Sequence, residues 1–103
     1  MNRLDRIITE LKDEMDDLSF SEIIRQARDR IGLVQYRAAE HLHIPLARLK
    51  NLEIGYFRVM PSEEEIRNLC EFYNLPTEKM KEKAAEHVEN NALSRKIRTM
   101  KDG

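Results

Sequence analysis

Three histidines, one cysteine and nineteen carboxylates are the side chains of this 103-residue chain that could bind a metal or carry covalent or proton-transfer chemistry. A protein metal site needs three or four such ligands converging at roughly 2 Å. His41 and His43 lie two residues apart and so point to different faces of a helix, and His87 is distant in the chain. No metal site is expected. Cys70 has no second cysteine to pair with and sits among Ile66, Leu69 and Tyr73 at helical spacing, so it reads as a small buried side chain. There is no glycine-rich phosphate loop and no nucleophile motif, and the carboxylates are scattered over polar helix faces. The sequence points away from an enzyme and away from any cofactor.

The remaining chemistry is charge. A net charge of −1 does not by itself advertise a nucleic-acid partner, but the charge is unevenly spread. Residues 1–20 set Arg3, Arg6 and Lys12 against six carboxylates, four of them Asp13, Glu14, Asp16 and Asp17. Residues 21–60 set Arg25, Arg28, Arg30, Arg37, Arg48, Lys50 and Arg58 against Glu22, Asp29, Glu40 and Glu53. The far end, residues 92–103, holds Arg95, Lys96, Arg98 and Lys101 against Asp102. Local positive potential concentrates anions, so the middle segment can face phosphates and the acidic start should repel them.

The elements that position these charges read as helices. Few glycines, prolines and aromatics beside 36% charged residues leave little turn chemistry for a sheet, and the length suits one domain with short extensions. Met1, Leu4, Ile8, Leu11, Met15 and Leu18 recur at heptad spacing, which predicts an amphipathic helix over residues 1–18. Ser19 with Glu22 forms a capping box that starts a second helix, with Phe20, Ile23, Ile24, Ala27 and Ile31 as its buried stripe and Gly32 as its stop. A short helix from Gln35 to Leu42 buries Ala38, Ala39 and Leu42, and another from about Pro45 to Glu53 buries Ile44, Leu49 and Leu52. So tight a connection between two short helices suits a helix-turn-helix rather than a bundle loop. Ser62 with Glu65 caps the next helix, which Asn74 ends; Thr77 caps the last, which Asn90 and Asn91 break. The organisation expected is therefore an N-terminal helix over 1–18, a helical domain over 19–90 and a basic tail over 91–103, the tail being an arm or a disordered end.

Residues 23–82 resemble the phage-repressor-like (Xre/Cro) helix-turn-helix family, through Leu33-Val34-Gln35, Ala39, His43, Glu53 and Gly55, and through the capped helix after Pro61 with Ile66, Leu69, Tyr73 and Asn74-Leu75-Pro76. The resemblance implies an all-α, five-helix repressor-like domain that binds double-stranded DNA and regulates transcription, with the Pro45–Glu53 helix in the major groove and dimers reading half-sites about one turn apart. By position it implies that Pro45, Leu46, Ala47, Lys50, Asn51 and Ile54 face the groove, while Gln35 and Arg58 approach phosphates. Val34 stands where a capping hydroxyl or amide is expected, and His43 where the turn glycine is expected. Leu46 and Ala47 can offer bases only apolar contact.

Because helix-turn-helix scaffolds also bind proteins, an antitoxin-like or regulator-binding module is the second reading. No stretch approaches the roughly 18 apolar residues that span a bilayer, so a cytoplasmic protein without a membrane partner is expected. The heptad stripe predicts a homodimer, or a protein partner, contacted through Leu4, Ile8, Leu11 and Met15. A chain starting at Ser19 should sediment as a monomer where the full chain is a dimer; equal association of the two would reassign the stripe to packing on its own domain.

Overall fold

Serine side chains start two of the helices. In a computed structural model, which describes the backbone of residues 17–102 and the side chains of residues 17–92, Ser19 Oγ accepts the Glu22 N–H at 3.2 Å and Ser62 Oγ accepts the Glu65 N–H at 3.1 Å. Each bond satisfies one of the donors that a helix start leaves unpaired. The described residues form five α-helices and no strand: α1 (Phe20–Arg30), α2 (Gln35–Leu42), α3 (Leu46–Ile54), α4 (Glu63–Tyr73) and α5 (Thr77–Asp102). The Leu4, Ile8, Leu11 and Met15 stripe lies outside the described residues.

The helix ends follow backbone chemistry. His43 and Asn74 close α2 and α4 in the left-handed conformation, at φ 57° and 56°. The cost of that conformation is lower for asparagine and histidine than for branched residues. Pro45 is the cap of α3 rather than its first residue, and α3 ends at Ile54, one residue past the expected glutamate. Pro76, not Thr77, accepts the first backbone bond of α5, from the Met80 N–H at 3.0 Å.

Apolar stripes from all five helices meet in one core. Phe20 and Ile24 of α1, Leu49 and Leu52 of α3, Ile66 and Leu69 of α4 and Met80 of α5 are its largest fully buried side chains, with Ala38 and Ala39 letting α2 pack close to α3. Removing any one of the large residues should cost about 2–5 kcal/mol. Ile31, expected in this core, is 47% exposed: it is the C-cap of α1, still in helical conformation, and lies past the last buried residue of the stripe, Ala27. Asn90 and Asn91 do not break α5. Asn91 instead donates from Nδ2 to the Phe57 carbonyl, and the backbone of the expected tail continues the helix to Asp102.

Cys70 is buried, and that burial pushes its thiol up, with a hydrogen bond to Thr77 pulling the other way. Tyr73 is also buried, and its hydroxyl has no hydrogen-bond partner among the described residues. Burial, helped by nearby Glu53 and opposed by Arg28, pushes this phenol up to about 12 from an ordinary 10. A raised folded value means that stability is complete below pH 10 and falls as the pH climbs toward 12, because the unfolded chain ionises first. Tyr73→Phe should therefore unfold less readily than the parent between pH 10 and 12 and be at least as stable at pH 7, where it loses only an unpaired hydroxyl. Urea titrations at the two pH values measure the difference; identical pH dependence would show that the phenol is not what titrates.

Candidate nucleic-acid interface

The orientation of α3 is set by what it buries. Leu49, Leu52 and Glu53 face inward, whereas Leu46, Ala47, Lys50 and Ile54 are exposed and Asn51 is half-buried. Ala47, Lys50, Asn51 and Ile54 follow one another at three- and four-residue steps and so share a face. With Pro45 and Leu46 at the helix start, the six expected groove residues of this helix are brought to its solvent side.

Burying a carboxylate on α3 requires a partner. Glu53, with a side chain only 1% exposed, receives Arg28 Nε at 2.7 Å and Nη2 at 2.9 Å, one on each oxygen. The same guanidinium donates from Nη1 to the Leu33 carbonyl at 2.8 Å, and Gln35 donates from Nε2 to Glu53 Oε1 at 3.2 Å. The Glu53 hydrogen bond is the chief cause that raises the Arg28 pKa. One ion pair thus ties the end of α1, the turn after it, the first residue of α2 and the end of α3. Arg48 binds Glu65 from Nη2 at 2.7 Å and from Nε at 3.1 Å, which holds α3 to the start of α4.

These pairs remove two cations from the basic segment. Arg37 makes a looser pair with Glu40 at 3.4 Å, both ends exposed. Arg25, Arg30, Lys50 and Arg58 are exposed and have no ion-pair partner among the described residues. Gln35 is half-buried, with its amide turned to Glu53 rather than outward. Unlike α1 and α4, neither α2 nor α3 has a side-chain cap: Val34 and Pro45 leave their first N–H groups without a side-chain acceptor. An open cleft of about 400 Å³ beneath the α2–α3 turn has Glu64 and Glu65 on its rim, the wrong sign for phosphate.

After α3 the chain is held from α5. His87 Nε2 lies 2.8 Å from the Gly55 carbonyl, Asn91 Nδ2 donates to the Phe57 carbonyl at 3.2 Å, and the His87 ring stacks on Phe57 at 4.2 Å. Gly55 has φ 79°, and a Cβ there would come within 3.0 Å of His87 Cε1, so glycine is needed both for the turn and for the ring above it. Sequence reasoning missed Arg28 and Glu53 as a pair, and His87 and Asn91 as anchors. Their partners lie 25 to 34 positions away, where no local spacing points.

No group of three or more His, Cys, Asp or Glu that could hold a metal occurs among the described residues, and none of the described helices is long and apolar enough to cross a membrane. No family model, curated protein or solved structure matches the chain.

Glu53→Ala leaves a part-buried guanidinium without its counter-charge and should cost about 2–4 kcal/mol of unfolding free energy, below the full cost of an unpaired buried charge because Arg28 keeps some access to water. Replacing both partners, as Arg28→Met with Glu53→Leu, should recover most of that loss. Chemical unfolding of the three proteins decides it; a loss under about 1 kcal/mol in Glu53→Ala would mean that the pair does not anchor α3.

Proposed function

We propose that the chain is a non-enzymatic, sequence-specific DNA-binding regulator of the phage-repressor-like kind, in which α2 and α3 are the helix-turn-helix and α3 enters the major groove. The observation that carries this reading is the face of α3. A short helix, joined to its predecessor by three residues and locked from behind by Leu49, Leu52 and Glu53, turns Ala47, Lys50, Asn51 and Ile54 outward. An α-helix with such a face fits the roughly 12 Å major groove. Lys50 can donate to guanine and Asn51 can bond an adenine edge in both directions, while Leu46, Ala47 and Ile54 pack on thymine methyl groups.

Phosphates are met around that helix. The first N–H groups of α2 and α3 lack side-chain caps and suit anions, the more so with the helix dipole behind them. Gln35 gives one amide hydrogen to Glu53 and keeps the other for a phosphate. Arg58 supplies charge from the loop after α3. A cytoplasmic homodimer, joined through the N-terminal stripe, completes this reading.

A protein-binding role is the second reading, favoured by Ile54, Tyr56 and Val59, which are 73%, 71% and 76% exposed. Selection from random duplexes at stated salt separates the two. On the preferred site Asn51→Ala should lose about 1–3 kcal/mol while its binding to random DNA stays near the parent's. Gln35→Ala and Arg58→Ala should weaken binding to every sequence by similar factors. If no sequence is enriched and Asn51→Ala behaves like the parent, the DNA reading fails and the protein-binding module replaces it.

A further inference from the structure

The loop between α3 and α4 combines exposed side chains with a backbone tied at two carbonyls. Tyr56, Arg58, Val59 and Met60 are exposed, yet between and beyond them Phe57 and Pro61 are buried. Phe57 packs edge-on to Phe20 at 5.5 Å and stacks on His87. A carbonyl can only accept, so the His87 contact with Gly55 requires the proton on Nε2. That leaves the nearby Asn91 amide to donate to Phe57 rather than to the ring. Two main-chain carbonyls two residues apart are therefore both held by one face of α5. The two carbonyls belong to half-buried Gly55 and buried Phe57, so the ties satisfy acceptors that water reaches poorly. In doing so they also fix where Tyr56 and Arg58, the neighbours of the held residues, leave the domain.

We infer that His87 and Asn91 are positioning residues that preform this loop as a second contact with the DNA backbone, in which Arg58 meets a phosphate and Tyr56 and Val59 lie against the adjoining sugar edge. The inference rests on the DNA-binding reading. Preforming matters because a loop whose backbone is free must be ordered on binding, and that ordering is taken from the affinity. Arg58 has no partner among the described residues, so its charge is available without breaking an existing pair. The contact is with the backbone and carries no sequence preference.

The test is a binding cycle on the preferred duplex and on random duplex, with folding checked by circular dichroism. Arg58→Ala should bind both roughly tenfold more weakly and lower the salt slope by about one. His87→Ala and Asn91→Ala should each reproduce most of that loss with the same preferred sequence. The double variant Arg58→Ala with His87→Ala should be no weaker than Arg58→Ala, within about twofold, because both changes remove one contact. His87→Gln, whose amide can donate to the Gly55 carbonyl, should stay within about threefold of the parent. Parent-like binding by His87→Ala, or losses that simply add, would overturn the inference. Should the parent enrich no duplex, the DNA reading itself falls. Amide exchange over residues 56–60 then decides the anchoring: faster exchange in His87→Ala upholds it, and unchanged exchange refutes it.

Discussion

The position of α3 depends on a charge that could not be buried alone. Glu53 points into the domain beside Leu49 and Leu52, where an unpaired carboxylate would be far costlier than any apolar residue. Arg28 meets it with two parallel N–H donors, the geometry that makes an arginine–carboxylate pair both strong and directional. A leucine in place of Glu53 would pack, but it would allow α3 to rotate and slide against α1. The paired ions define one angle and one register, and the Leu33 carbonyl and the Gln35 amide are drawn into the same arrangement.

A second set of constraints surrounds the first. Arg48 and Glu65 hold the other flank of α3 to the start of α4, and Glu65 is the residue whose N–H caps on Ser62. His87 and Asn91 hold the chain just beyond the C-terminal end of α3. The helix is thus fixed in its first turn, through Arg48, and at its end, through Glu53, while Pro45 and Leu46 at its very start are exposed. Fixed behind and open in front is the arrangement that a reading helix requires, since a contact helix that can shift by an ångström discriminates poorly.

The parts of this fold that were legible in the sequence are those decided within one or two turns. Ser19 and Ser62 announce their helices because a cap and its target are three residues apart. The stripes of α1, α2 and α4 were readable because burial repeats with the helical period, and Asn74 because a left-handed stop is a local property. The expectations that failed concern residues whose fate is tertiary. Ile31 fits the α1 stripe by spacing, but it stands at the helix end and stays exposed. Asn91 has the composition of a breaker, but a carbonyl on a distant loop employs its side chain within the helix. The basic surplus of residues 21–60 overstated the charge available to a partner, because Arg28 and Arg48 serve internal carboxylates. The exposed face of α3 was visible as a pattern; what keeps it in place was not, because Arg28 and Glu53 lie 25 residues apart.

On the proposed reading, the composition of that face limits how it would discriminate between bases. Apolar contacts from Leu46, Ala47 and Ile54 would exclude water and reward methyl groups, but an apolar surface rejects a wrong base only weakly. Hydrogen-bonding discrimination falls to Lys50 and Asn51, and of the two only the asparagine both donates and accepts, so only it is penalised when either half of its pattern is missing. A lysine on a flexible stem can turn to another acceptor at little cost. On the proposed reading, base selectivity is therefore concentrated at the half-buried Asn51, the polar groove residue closest to the anchored Glu53 and the most restricted by its surroundings. A binding site with a single strict position in each half-site gains selectivity chiefly by being read twice, which makes the symmetry of the assembly, more than any further side chain on α3, the determinant of how specific such a protein can be.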